Sequence, residues 1–316
     1  MLSIIVRRLL GAVPILVIVS LITFAMIHMI PGDPAEAIAG MAATKDQIAN
    51  IRADLGLDQP FLSQLWHWYA NLLHGDLGRS LLLGQPVFQA TMERLPVTVA
   101  LSAYAMVMTL VLGLGSGIIA ALRQNTWIDQ AAMVLAMIGI SLPNFYLGLL
   151  MIIVFAVELR WLPTGGYVPL SEDPLGWLAT STMPAISLAL LLTGLLARIT
   201  RSTMLEVLRQ DYIRTARAKG LPARQVVIKH ALANALIPIT TVIGIIVSLL
   251  ISGSVVTETL FSIPGIGQLL TQAVLNRDYP MVQGGLLITT ALLVLVNIAV
   301  DVCYALLDPR VRYDEA

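Results

Sequence analysis

Charged residues are unevenly spaced along the chain. Six stretches of twenty or more positions contain no Asp, Glu, Lys or Arg: Leu9 to Gly32, Leu95 to Leu122, Gln130 to Val157, Pro174 to Ala197, His230 to Thr257 and Tyr279 to Val300. A helix rises 1.5 Å per residue, so about 20 apolar residues cross a hydrocarbon core of about 30 Å. The pattern predicts six membrane-spanning helices. A further run, Thr259 to Asn276, contains Ser262-Ile263-Pro264-Gly265-Ile266-Gly267. Proline and glycine there would cost a continuous helix backbone hydrogen bonds, so a packed bend, or a segment outside the hydrocarbon, is expected.

The segment from Pro31 to Pro96 has helix signals of its own. Thr44-Lys45-Asp46-Gln47 fits a capping box, followed by Ile48, Ile51 and Leu55 at helical spacing and stopped by Gly56. A second helix is expected from Pro60, with Phe61, Leu65, Trp68 and Leu72 on one face and Gly75 as its stop. Trp66, Trp68 and Tyr69 suit a membrane–water interface.

Composition supports a membrane protein: of 316 residues, 57% are apolar and 12% charged, with mean hydropathy +0.83. Soluble domains carry about 25% charged residues. Nineteen basic and nineteen acidic residues cancel, which leaves no net charge to attract nucleic acid. Cys303 is the single cysteine, so no disulfide forms within the chain. Arg7-Arg8 and the small residues Ala39 to Ala43 would suit a signal peptide, but the apolar stretch from Leu9 to Ile30 exceeds the usual 7 to 15 residues. An uncleaved first span is expected.

Positive charge marks the cytoplasmic side. Placing the amino terminus inside puts 13 of the 19 Lys and Arg residues inside, Arg310 and Arg312 among them, and an even number of spans returns the carboxyl terminus to the same side. Both termini are expected to be cytoplasmic. The predicted division is 1–30 for the N-terminus and first span, 31–96 for an outer helical segment, 97–308 for the remaining spans with an inner loop at 201–229, and 309–316 for a cytoplasmic tail.

Between spans four and five, Arg198 to Lys229 holds eight of the inside basic residues and two acids, Glu206 and Asp211. Asp211 is expected to cap a short helix from Tyr212 to Lys219, Gly220 to end it in the left-handed conformation, and Pro222 to open the next helix. About eight residues do not hold a helix alone in water, so the element must rest on something. Ala216, Ala218 and Gly220 would permit close approach by a partner. A plain cytoplasmic anchor and a docking element for another subunit both fit the basic residues; the cap, small residues and stop together favour docking.

Arg214-Thr215-Ala216-Arg217-Ala218-Lys219-Gly220, His230-Ala231-Leu232 and Asn234-Ala235-Leu236-Ile237-Pro238 resemble the inner-loop signature of ABC-importer permeases of the dipeptide, oligopeptide and nickel group. Against the general importer pattern E-A-A-x3-G-x9-I-x-L-P, the chain keeps Ala216, Gly220, the nine-residue gap and Leu232. It departs at Arg214, Thr215, His230 and Ala233. The peptide and nickel variant fits from Asp211-Tyr212-x-Arg214 onward. Pro31-Gly32-Asp33-Pro34, Gly75-Asp76-Leu77-Gly78-Arg79-Ser80, Glu258 through Pro264-Gly265-Ile266-Gly267 and Arg277-Asp278-Tyr279-Pro280 look like the same group.

The resemblance implies an all-α membrane protein with six transmembrane helices of the type I ABC importer permease fold and a helical periplasmic segment between helices 1 and 2. It implies a multi-pass protein of the bacterial inner membrane, importing di- or oligopeptides, with glutathione or nickel complexes as alternative cargo. The implied partners are a second permease in a heterodimer, two cytoplasmic ATPase subunits, and a periplasmic or lipid-anchored substrate-binding protein. The ATPase groove would receive a coupling helix formed by Asp211, Tyr212, Arg214, Thr215, Ala216, Arg217, Ala218, Lys219, Gly220 and Leu221.

The chain has no Gly-Lys pair, hence no G-x4-G-K-[ST] phosphate cradle. Transport is therefore expected without catalysis or a cofactor on this chain, with ATP and Mg at the partner ATPases. An ion-coupled secondary transporter would be expected to show buried ion sites, and a proton relay would want an acid deep in a span; no acid lies inside the six runs, and Glu158 and Asp301 sit at run edges. His28 reads as a packed or interfacial histidine, and His67 with His74 do not make a structural zinc pattern. No H-E-x-x-H or G-x-S-x-G motif suggests a membrane protease. Gly113-Leu114-Gly115-Ser116-Gly117 is expected to pack helices closely or to line a permeation path. Pro143 and Pro184 each kink a helix or sit near an end.

Overall fold

The computed structural model describes residues 2–29, 35, 44–54 and 58–307. The Pro31–Pro34 segment, Ala39 to Ala43, Leu55, Gly56 and the tail with Arg310 and Arg312 lie outside the described residues. The described chain is almost entirely helical: α1 (Leu2–Met29), α2 (Lys45–Asp54), α3 (Phe61–Leu73), α4 (Val87–Leu122), α5 (Trp127–Ser141), α6 (Asn144–Glu158), α7 (Pro174–Leu208), α8 (Asp211–Ala218), α9 (Ala223–Leu260), α10 (Ile266–Leu275) and α11 (Tyr279–Leu307). The last turns of α6, Ile152–Glu158, and the second turn of α9, Val226–Leu232, widen to π-helical geometry.

Among the described residues, five helices are long and apolar enough to cross a membrane: Val6–Ala25 in α1, then α4, α7, α9 and Tyr279–Val302 in α11. The third predicted span differs. It is two helices, α5 and α6, that meet at 102°, so the count is five crossings, or six if the bent pair is one broken span. Pro143 causes the break. Its ring disfavours helical backbone in the residue before it, and Leu142 is accordingly extended (φ −90°, ψ 124°) while Pro143, with ψ 140°, precedes the next helix as its N-cap residue. Pro184, by contrast, sits inside an uninterrupted α7.

The long helices also outrun the charge-free stretches that announced them. α7 continues to Leu208 and α9 starts at Ala223, so Arg198, Arg201, Arg224 and Lys229 lie on helices and the connection shrinks to 209–222. A charge-free run measures what hydrocarbon tolerates, whereas a helix persists into water wherever its backbone bonds are met. At 1.5 Å per residue, the 35 residues of α7 and 38 of α9 exceed a bilayer core of about 30 Å.

The chain divides into two compact units. The first comprises Val97–Pro264 and the chain from Val296. α7 is its axis, buried at Met183, Leu188, Leu192, Leu196 and Met204, with α5 and α9 against it. Glycines set the spacing. A Cβ on Gly194 would stand 2.3 Å from the Ala136 carbonyl oxygen, and one on Gly117 would stand 2.6 Å from the Ala197 oxygen and from Thr200 Cβ. Gly113 likewise packs on Leu196, so Gly113 and Gly117 serve helix packing, while Gly115 faces open space.

The second unit comprises Leu2–Pro96 and Gly265–Leu295. α2 opens with the expected capping box: Gln47 N–H donates to Thr44 Oγ1 (3.3 Å) and Thr44 N–H to Gln47 Oε1 (2.9 Å). α3 lies on α1 through Phe24 against Phe61 and Trp68, and through the Ser20–Tyr69 hydroxyl pair at 2.7 Å. Gly75, at φ +81°, ends α3 as expected. His67 and His74 each bond through Nδ1 to a carbonyl of their own helix (2.8 and 2.7 Å). Val87, Ala90, Leu269, Ala273, Met281 and Ile288 form the unit's core.

Candidate functional site

α8 joins the ends of α7 and α9. Its backbone is built almost as its residues predict, shifted by one position. The first helical bonds run from Ile213 and Arg214 N–H to the Gln210 carbonyl (3.1 and 3.3 Å), which makes Gln210 the capping residue and Asp211 the first residue of the helix. Asp211 is therefore not the cap; its carboxylate is exposed and only 3.4 Å from Arg214 Nη1. Such a pair in water contributes little. At the other end Gly220 adopts φ +77°, its N–H donates to the Arg217 carbonyl (3.0 Å) and Leu221 N–H to that of Ala216 (3.4 Å). This is a Schellman stop, closed by the apolar contact of Leu221 with the core.

One face of α8 belongs to the protein. Ile213 is fully buried and Ala216 is 7% exposed, both within the core that includes Met204, Val226 and Ala231. Burying an isoleucine contributes about 2 kcal/mol, which offsets the poor intrinsic stability of an eight-residue helix. Ile213 was missed in the sequence; a lone apolar residue three positions before Ala216, among charges, was its only signal. Ala216 is spent on this footing, so it is not presented to a partner.

The other face is free. Tyr212, Arg214, Thr215, Arg217, Ala218, Lys219 and Gly220 are all exposed, with Leu221 half-buried behind them. A polar groove of about 490 Å3 runs beside the corner, lined by Arg201, Ser202, Leu205, Glu206, Arg209, Gln210 and Asp211. The arrangement presents a basic turn, fixed in orientation, at the tip of two long helices.

Among the described residues of the first unit two acids are buried, and neither was visible as such in the sequence. Asp129, 3% exposed on α5, accepts Nε and Nη2 of Arg201 at 2.5 and 2.7 Å. Glu258, fully buried near the end of α9, accepts Thr98 Oγ1 at 2.7 Å. Runs defined by the absence of charge cannot contain a buried charge, so both fell just outside them. Glu158 is exposed at the end of α6.

In the second unit, two of the sequence segments that carry the resemblance lock together. Asp278, 2% exposed, accepts Ser80 Oγ (2.5 Å) and the N–H groups of Leu81, Leu82 and Met281 (3.1 to 3.2 Å). Gly78, at φ +83°, turns the loop and takes the Val87 N–H on its carbonyl (3.0 Å).

Residues 113–313 match the family described as binding-protein-dependent transport system inner membrane component, and residues 1–102 match the N-terminal family of such membrane components. The chain belongs to this family, and is a multi-pass inner-membrane permease. It is 50% identical over 314 residues, 99% of its length and all of the relative's, to a Brucella abortus chain named as a peptide transport system permease protein. It is 43% identical over 313 residues, again 99% of its length and all of the relative's, to the glutathione transport system permease protein GsiC of Escherichia coli K12. Among solved structures, a chain of the MetNI methionine ABC transporter in inward-facing conformations superposes with a TM-score of 0.55 at 19% identity, over 70% of this chain and 97% of that one. That likeness establishes the ABC importer permease fold.

Proposed function

We propose that the chain is one permease of an ATP-driven importer of di- or oligopeptides, paired with a second permease and served by two cytoplasmic ATPase subunits and a substrate-binding protein. The observation that carries this reading is α8: a basic turn held rigid by Ile213 and Ala216 on a chain without a phosphate cradle. α8 sits in a groove of the ATPase through Tyr212, Arg214, Thr215, Arg217, Ala218, Lys219 and Gly220, with both termini of the chain on the same cytoplasmic side. ATP binding grips one of two conformations better and shifts the equilibrium toward it. The binding protein delivers cargo to the outward-open state, and hydrolysis resets the inward-facing one. The same-side termini require the bent pair α5–α6 to count as one crossing.

Peptide cargo is supported by the name of the Brucella relative, and glutathione, itself a short peptide, by the GsiC likeness. Identifying the ligand held by the co-purified binding protein separates the two. For the coupling itself, Gly220→Pro and Arg217→Glu are expected to uncouple ATP hydrolysis from uptake in a reconstituted complex; wild-type uptake in both removes the docking assignment.

A further inference from the structure

We propose that the Asp129–Arg201 pair is a strut that makes α5 follow α7, so that movement received at α8 is delivered to the bend between α5 and α6. The inference rests on α8 being the docked element. Arg201 lies within two turns of the end of α7 and lines the groove beside α8, so it is among the first residues displaced when that corner moves. Its guanidinium makes a two-point bond to Asp129, and planar two-point bonds fix angle as well as distance. The same carboxylate accepts the N–H of Asn125 (3.0 Å), a non-glycine residue at φ +64° in the turn between α4 and α5. One buried carboxylate thus ties together α7, α5 and the turn that leads into α5.

A second attachment lies further along the same two helices. A Cβ on Gly194 would be 2.3 Å from the Ala136 oxygen, and one on Gly139 would be 3.0 Å from the Leu190 oxygen, so the backbones themselves are in contact there. Two attachments on one pair of helices remove independent rotation, and α5 and α7 turn as one body. Beyond Ser141 that body ends. Leu142 is extended, the helix restarts at 102°, and rotation of α5 becomes displacement of α6. A pair that only stabilised the fold would not need to join the element beside the docking corner to the element before the break.

The test uses the complete importer reconstituted in proteoliposomes, with Asp129→Cys/Arg201→Cys in a Cys303→Ser chain. Three quantities are read: ATPase subunits retained, hydrolysis, and cargo moved per ATP. With free thiols, retention is expected to hold while cargo per ATP falls roughly tenfold, the scale of a typical coupling between sites. Joining the thiols with a short bifunctional thiosulfonate linker restores the ratio, and reductant removes it again. A wild-type ratio with free thiols overturns the proposal, and so does a linked form as poorly coupled as the free one, because α5 and α7 would then need to slide. Asp129→Leu/Arg201→Met, which leaves no unpaired charge, guards against misfolding: assembly with lost coupling supports the strut, and failure of both variants to assemble reduces the pair to a folding clip. Failure of the docking reading looks different. Arg217→Glu would then keep its ATPase subunits and its uptake, whatever the linker does.

Discussion

The α8 corner and the Ser80–Asp278 junction are both built from residues that carry the family resemblance, yet they are opposites in physical terms. At the junction the polar groups that meet are turned inward: one carboxylate meets a hydroxyl and three backbone N–H groups, and it is 2% exposed. At the corner two apolar side chains are turned inward and the charges are left in water. A buried, fully bonded motif holds the chain's own shape. A motif that secures its backbone and leaves its polar face unused is made for another molecule. Burial, more than resemblance, tells the two apart.

The contrast predicts a graded series of losses. Asp278→Ala removes the acceptor for four donors and is expected to cost on the order of 4 kcal/mol, read as a large drop in the thermal midpoint of the purified complex; an unchanged midpoint would break the assignment of the junction as structural. Ile213→Ala takes away the footing of α8 and should cost about 3 kcal/mol, with hydrogen exchange in residues 211–218 rising selectively. Gly220→Val places a branched side chain in left-handed backbone where its Cβ meets nothing within 4 Å, so the expected cost is about 1 to 2 kcal/mol, with the helix stop disturbed and coupling lost. Arg217→Ala should change stability by less than about 0.5 kcal/mol while weakening retention of the ATPase subunits, a separation of stability from assembly that the Asp278 variant cannot show.

Much of this was legible in the sequence because it is local. The Thr44–Gln47 capping box, the Gly75 and Gly220 stops and the membrane-length helices each depend on neighbours within a few positions, and the structure reproduces them. What was not legible depends on partners distant in the chain. Asp129 and Arg201 are 72 residues apart and Ser80 and Asp278 are 198 apart, so no window of sequence shows that they meet. Asp211 illustrates the intermediate case: a good capping residue one position from the cap, which falls on Gln210. The break at Pro143 was a known option for a proline, and the extended backbone of Leu142 decided it.

The account depends above all on what touches the exposed face of α8. A photoreactive amino acid placed at Ala218, illuminated in intact cells and followed by mass spectrometry of the adduct, reads this directly. The expected product is a cross-link to a subunit bearing a G-x4-G-K-[ST] phosphate loop, lost in the Arg217→Glu background. A cross-link to the substrate-binding protein instead would put the corner on the opposite side of the membrane and contradict the account.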